Sequence, residues 1–262
     1  MLATTRAIVL RTVKFSENQL IVDMLTEQLG RMSAMCRIPK TQKGRLKKQF
    51  FQPLSILELQ VDHRPNRQLQ HMRDARLANA YTSIPFDATK LSVALFTAEF
   101  LTYATRNEQP NLPLFRYVES SLLWLDANTT PMKTANFHLV FMMRLSRFVG
   151  FYPNLEGYVP GAFFDLEASS FTSLPPLHAN FLSAADSALV VTLMRVTFDT
   201  MHLFRFSRDE RNRFTEVILT YYRLHVPAFP ELRSLPVLQQ LFRFLSFIYY
   251  EPMVCKAWSY AL

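Results

Sequence analysis

The stretch RIPKTQKGRLKKQFFQP, residues 37–53, holds the side chains best suited to binding a charged partner. It lies within an acid-free window from Gln28 to Leu57, and two phenylalanines follow its last cation. Its cations are Arg37, Lys40, Lys43, Arg45, Lys47 and Lys48. Cations on a loop release counterions when they contact phosphates, and a neighbouring aromatic ring can stack on a base. The pattern therefore indicates a site for a nucleic-acid backbone.

Two simpler interpretations of this stretch stay open. A loop rich in lysine and arginine is often only a solvated surface. Phe50 and Phe51 lie where the next strand is expected to begin, so at least one of them could pack in the core instead of stacking on a base. The distribution of charge along the whole chain helps to distinguish between these interpretations.

The positive charge of the protein is confined to its first third. Residues 1–80 contain 14 of the 29 lysines and arginines but only 6 of the 21 acids, so the whole net charge of +8 lies there. Arg11 and Arg31 lie on predicted strands beside the basic stretch. A basic module joined to a neutral one suggests a polyanionic partner for the first and a different role for the second.

Residues 1–80 predict a β-barrel of the oligonucleotide-binding (OB) type. Segments rich in β-branched residues alternate with turns, and the last of them, LQHMRDARLANAY, leads out of the barrel. We expect the first segment, RAIVLRTVKF, to have apolar residues on both faces, which suits a closed barrel. One face would hold Ala7, Val9, Val13 and Phe15, and the other Ile8 and Leu10. Loops and one strand face of OB barrels bind oligonucleotides.

Residues 81–262 predict an all-helical domain, which makes the chain an α+β protein of two domains. The apolar period changes after Pro85, where Asp87 is a suitable N-cap and Leu91, Leu95, Ala98 and Leu101 share one helical face. Six helices are expected, and the fifth begins with a capping box at Ser207 and Glu210. Residues 150–182 contain four prolines and predict an irregular insertion.

The sequence offers no catalytic, cofactor-binding or metal-binding motif. Its five glycines form no phosphate-binding loop, and its six histidines are not at metal-ligand spacing. The two cysteines, Cys36 and Cys255, fit a reducing cytoplasm. The apolar runs are too short to span a membrane, and the N-terminus lacks the apolar core of a secretory signal. We therefore expect a cytoplasmic protein that is not an enzyme and has no cofactor.

A second binding site is conceivable on the predicted helices. Arg144 and Arg147 lie on one helix together with Phe141, Met142 and Phe148. One interpretation is a groove for an acidic, apolar peptide tail. The other is amphipathic packing, in which the arginine stems cover apolar surface, and the spacing alone favours this second interpretation.

Several segments, taken together, show a family resemblance. Two of them are AIVLRTVKFSENQLIVDMLTEQLGRMSAMCR and FQPLSILELQV, which resemble the start and the next strand of the OB barrel in the bacterial RecO family of recombination mediators and DNA repair proteins. FHLVFMMRLSRFVGFYPN resembles a family helix that ends in a turn of the type LGF-P, and SLPVLQQLF resembles its C-terminal helix. No single motif is highly specific, but their order and spacing extend over nearly the whole chain.

The resemblance implies a non-catalytic protein that works in the cytoplasm, at the nucleoid. Such proteins bind single- and double-stranded DNA, anneal strands, engage the acidic C-terminal tail of single-stranded DNA-binding protein and, with RecR, help the recombinase RecA load. The expected DNA-binding residues are the six cations of the basic stretch with Arg11 and Arg31. The expected tail-binding residues are Arg144 and Arg147, with Arg116.

One departure from the family pattern concerns metal. Many members have four zinc cysteines after the GF-P turn, whereas NLEGYVPGAFFDLEASSFTS has none in this chain. We infer a degenerate zinc-finger region in which aromatic packing replaces the metal, with Tyr158, Phe163, Phe164 and Phe171 as the rings. A protein–protein scaffold with an acidic partner and an RNA-binding barrel are the alternatives to DNA binding.

Overall fold

Five strands at the start of the chain form a closed barrel. The computed structural model describes residues 1–39, 46–129, 134–204 and 206–240. The strands are β1 (Leu2–Ser16), β2 (Gln19–Thr26), β3 (Gly30–Arg37), β4 (Ile56–Asp62) and β5 (Leu69–Asn79), with a 3-10 helix (Lys48–Phe51) before β4. Their order is β1-β2-β3-β5-β4, and only β3 and β5 are parallel. The predicted OB-like barrel is confirmed, and the segment expected to lead out of it is its fifth strand.

An irregularity in β1 changes which of its side chains face the barrel interior. Val9 pairs with Met24 and Arg11 with Asp23, so Leu10 is an extra residue in the ladder. Ala7 and Val9 are buried inside the barrel, but the expectation that Val13 and Phe15 share that face is wrong. Both side chains are exposed, because an extra residue exchanges the two faces of the strand that follows it.

Helices occupy most of the remaining chain. They are α1 (Ala88–Ala104), α2 (Leu112–Ala127), α3 (Phe137–Leu145), α4 (Ala184–Arg195) and α5 (Arg208–His225), and residues 235–240 are also helical. The Asp87 carboxylate accepts hydrogen bonds from the backbone N–H groups of Thr89 and Lys90, which confirms the predicted N-cap. Both bonds of the capping box between Ser207 and Glu210 are present. The rest of the expected sixth helix lies outside the described residues.

The two faces of α1 are not distributed as expected. Leu91 and Leu95 are exposed, whereas Phe96, Phe100 and Leu101 are buried. The helix packs against β1 on one side and α3 on another, so its buried surface is wider than one stripe and is displaced from Leu91 and Leu95.

Residues 150–182, expected to be irregular, contain a small sheet. Its strands are β6 (Phe163–Asp165), β7 (Ser170–Thr172) and β8 (Phe181–Leu182), in the order β7-β6-β8. The ring of Phe171 lies 4.9 Å from that of Tyr158 and 5.0 Å from that of Phe164, measured between centroids. Among the described residues there is no group of three or more His, Cys, Asp or Glu side chains that could hold a metal ion.

The outer side of the barrel is joined to the helices by a shared core. Ile8, Leu10 and Leu25 face away from the barrel interior and belong to the same buried cluster as the aromatic side chains of α1 and α3. Apolar residues on both faces of β1 therefore have two different partners. Alternate residues of β1 fill the barrel, and the others stabilise its contact with the helices.

A close backbone approach fixes this junction at a second point. Gly30 has a φ of +67°, and a Cβ added there would lie 2.7 Å from the carbonyl oxygen of Glu108. The next residue, Arg31, donates its backbone N–H to that same oxygen over 3.0 Å. The turn between β2 and β3 therefore packs directly on the loop between α1 and α2, and glycine meets both requirements of that position.

Candidate nucleic-acid interface

Five predicted cations lie on the barrel strands, or directly before or in the 3-10 helix that packs on the barrel. They are Arg11, Arg31, Arg37, Lys47 and Lys48, which we call the basic face. The Thr12 hydroxyl donates a 2.8 Å hydrogen bond to the carbonyl oxygen of Phe51, which joins the end of the 3-10 helix that contains Lys48 to β1. Lys40, Lys43 and Arg45, which the sequence also predicts as DNA-binding residues, lie outside the described residues.

Most of the basic face has no acidic partner. Arg11, Arg37, Lys47 and Lys48 are exposed, and none of them makes an ion pair or a side-chain hydrogen bond within the described parts of the chain. Arg11 is placed on the outer surface by the extra residue at Leu10, and Arg37 is the last residue of β3. These charges are free to contact phosphates, because no protein carboxylate has to be displaced first.

Arg31 is the buried member of the basic face. Its side chain is only 14% exposed, and its Nη2 lies 3.9 Å from Oδ2 of Asp23. The other carboxylate oxygen of Asp23 accepts a 2.5 Å hydrogen bond from the Ser33 hydroxyl. Burial above all lowers the pKa of the Arg31 guanidinium; Asp23 opposes this shift, and the charges of Arg106 and Arg11 add to it.

The two phenylalanines of the basic stretch pack against the barrel core. Phe51 is only 2% exposed and lies among the interior side chains, and Phe50 is partly buried against the same cluster. The core interpretation is therefore confirmed for Phe51. Phe15 is a better candidate for stacking, because its side chain is 60% exposed at the end of β1. Sequence periodicity missed Phe15 because the irregularity in β1 has no signature in residue types.

Two further arginines of the barrel are neutralised. Arg73 and Arg76 on β5 pair across to β4, with Nε of Arg73 2.6 Å from Asp62 and Nε of Arg76 2.8 Å from Glu58. We call these two ion pairs the paired edge. Any DNA contact by Arg73 or Arg76 would have to compete with a carboxylate that is already in place.

The three predicted tail-binding arginines have different environments. Nε of Arg144 donates a 3.0 Å hydrogen bond to the carbonyl oxygen of Val196, so part of this guanidinium joins α3 to the end of α4. Arg116 on α2 and Arg147 after α3 are exposed. Next to them, the ring of Tyr117 stacks on Phe148 with the centroids 5.0 Å apart. Arg116 and Arg147 are therefore the more available of the three.

One histidine in the described part of the helical region is buried and makes a structural contact. His138 is almost fully buried on α3, and its Nε2 lies 2.9 Å from the hydroxyl of Thr215. Burial, with the charge of Arg211 adding to it, lowers the pKa of His138 to about 3. This side chain is a core group. Among the described residues, no helix has the length and apolar character needed to cross a membrane.

A five-stranded OB-like barrel with unpaired cations, followed by helices, is typical of proteins that bind nucleic acids through the barrel. Residues 1–81 match the model of the family Recombination protein O N terminal, and residues 85–236 match that of Recombination protein O C terminal. The chain belongs to the recombination protein O (RecO) family, as its sequence motifs predicted.

Curated relatives extend this similarity over nearly the whole chain. A protein of Bacteroides fragilis named DNA repair protein RecO is 46% identical over 243 residues, which are 92% of this chain and 100% of the relative. A protein of Phocaeicola vulgatus with the same name is 45% identical over 242 residues, again 92% of this chain and 100% of the relative. A third, from Porphyromonas gingivalis, is 33% identical over 248 residues, with the same coverage of both chains.

Proposed function

We propose that this protein acts in DNA repair by binding DNA strands on the basic face of its barrel, without catalysing a reaction. The observation that supports this most directly is the set of exposed cations at Arg11, Arg37, Lys47 and Lys48, which have no acidic partner among the described residues. Such cations bind phosphates irrespective of base sequence, and binding of this kind weakens steeply as salt rises. Lys40, Lys43 and Arg45 would add to this surface.

The same surface would serve annealing and recombinase loading. Two DNA strands repel each other, and a surface that neutralises the phosphates of both lowers this repulsion without any chemistry. Together with the family resemblance, this supports annealing of complementary strands and, with RecR, assistance to RecA on strands coated by single-stranded DNA-binding protein. These steps would take place in the cytoplasm, at the nucleoid.

The acidic tail of single-stranded DNA-binding protein would bind on the helices. Arg116 and Arg147 are exposed beside the stack of Tyr117 and Phe148, which offers positive charge next to aromatic surface. An acidic tail with apolar side chains is complementary to such a surface. Arg144 would contribute through the part of its guanidinium that does not bind Val196.

The decisive experiment compares two double variants that remove the same charge. Lys47→Gln/Lys48→Gln alters the basic face, and Arg73→Gln/Arg76→Gln alters the paired edge. Anisotropy of labelled single-stranded DNA across a salt series should show about 10- to 100-fold weaker binding and a shallower salt dependence for the first variant. The second variant should bind nearly as the parent does. A parent that binds no DNA, or equal losses in both variants, would contradict the proposal.

A further inference from the structure

Three arginines from two parts of the chain lie near one another where the barrel meets the helices. Arg11 is on β1, Arg31 is on β3, and Arg106 follows the end of α1. Arg11 is the cross-strand partner of Asp23, whose Oδ2 lies 3.9 Å from Nη2 of Arg31. Arg106 is two residues before Glu108, whose carbonyl oxygen accepts the Arg31 N–H. The charges of Arg106 and Arg11 both act on the Arg31 guanidinium, and Asp23 opposes them. Around the Arg31 guanidinium, three positive charges, its own included, and one negative charge leave a local excess of positive charge.

The central arginine has hydrogen-bonding capacity that the described protein does not use. Nη1 of Arg31 is buried and makes no hydrogen bond to any described residue. Asp23 does not supply the missing acceptor: its Oδ2 is 3.9 Å from Nη2, beyond hydrogen-bond distance, and Nη1 has no partner there. A buried donor on a charged group is costly when it is unsatisfied, so a structure that keeps one next to two further cations is suited to receiving an anion.

The backbone around the three arginines is fixed. The Arg31 N–H donates to the carbonyl oxygen of Glu108, two residues from Arg106, and Gly30 permits that approach. The Arg106 guanidinium lies over the ring of Tyr103, 5.5 Å from its centroid, which limits the directions that it can take. The cations of the barrel and of the helical region are therefore held in a set relation to each other.

We propose that Arg31, Arg106 and Arg11 together bind one phosphate group of a nucleic-acid backbone at the junction of the barrel and the helices. This inference rests on the proposed function. Guanidinium groups match phosphate oxygens geometrically, and two of them can each donate two parallel hydrogen bonds. A DNA strand that follows the basic face past Arg11 would reach the helical region here, so its path is longer than the barrel alone.

A phosphate group is favoured over a peptide carboxylate by the position of the site. Arg11 belongs to the basic face and also to the junction, so a polyanion bound along that face continues directly to Arg31. The acidic peptide tail is assigned instead to Arg116 and Arg147, beside Tyr117 and Phe148.

The test measures the salt dependence of binding to labelled oligothymidylate for Arg106→Gln, with Arg195→Gln as the control. Arg195 is also an exposed arginine, at the end of α4. Arg106→Gln should weaken binding about tenfold and reduce the salt slope by about 0.7, the contribution of one phosphate in a single strand. Arg195→Gln should leave affinity and slope unchanged.

A second variant separates geometry from charge. Arg31→Lys keeps the positive charge but loses the planar fork, so it should weaken binding with little change in the salt slope. Thermal unfolding of the same sample has to show that the variant is folded. Arg31→Lys with parental affinity would contradict the bidentate geometry.

Three other outcomes are distinguishable. If the parent does not bind the oligonucleotide, the proposed function itself fails. If the parent binds and Arg106→Gln binds equally well, or if Arg195→Gln loses as much affinity, only the junction site is refuted. If an acidic peptide binds the parent but not Arg106→Gln, while both bind the oligonucleotide alike, the junction is a peptide site and the phosphate assignment is wrong.

Discussion

The basic face and the paired edge of the barrel have the same residue types but different electrostatic states. On the paired edge, Arg73 and Arg76 form ion pairs with Asp62 and Glu58 of the neighbouring strand. On the basic face, Arg11, Arg37, Lys47 and Lys48 make no ion pair among the described residues, although Arg11 is the cross-strand neighbour of Asp23. Ion pairing between strands therefore neutralises only some of the arginines, so a count of cations along the sequence overestimates the surface that is available to phosphates.

The largest effect on stability is expected from a change at Gly30, where the barrel is attached to the helices. Gly30→Ala should lower the free energy of unfolding by about 2–5 kcal/mol, because its Cβ would meet the backbone of Glu108 and its positive φ is unfavourable for alanine. Urea denaturation measures this change. If the junction orients the basic face, DNA binding by the folded fraction should weaken as well.

Gly157→Ala is the matched control for this prediction. Gly157 also has a positive φ, of +78°, but an added Cβ would have nothing within 4 Å. The loss should be about 1–2 kcal/mol, from the backbone conformation alone. Equal losses in the two variants would show that the approach of Gly30 to Glu108 contributes nothing to stability.

Phe15 is expected to add base stacking to the charge interactions of the basic face, which the paired edge does not offer. Phe15→Ala should weaken binding to single-stranded DNA by about 1–3 kcal/mol and leave duplex binding almost unchanged, because duplex bases are already stacked on each other. Phe86→Ala is the control, since Phe86 is 84% exposed between the barrel and α1. Equal effects on single strands and duplexes would exclude a stacking role for Phe15.

The smallest effect on stability is expected from a change at the paired edge. Arg76→Gln should change the free energy of unfolding by at most about 1 kcal/mol, because exposed ion pairs contribute little. The difference from the parent should disappear at high salt, where exposed charges are screened. Urea denaturation at low and high salt measures both quantities. A loss that persists at high salt would mean that Arg76 stabilises the edge by packing and that its charge is secondary.

Local patterns were sufficient for the barrel strands and the helices, but not for the short strands β6, β7 and β8. Alternating apolar residues predicted the strands, and the caps at Asp87 and Ser207 are formed as their residue types indicate. These features depend on neighbours along the chain, so the sequence contains the information directly. The face of α1 that includes Leu91 and Leu95 was assigned incorrectly, because burial there depends on β1 and α3, which are distant in sequence.

The sequence by itself determined the class of this protein: a basic OB-like barrel, helices after it and membership of the RecO family. Only the tertiary structure decided which cations are unpaired, that Phe15 lies outside the barrel, and that Arg106 lies near Arg31. The physical reason is that charge pairing, burial and electrostatic coupling act through space. A single extra residue in β1, or a glycine that lets two loops touch, changes burial and charge pairing without changing any pattern in the sequence.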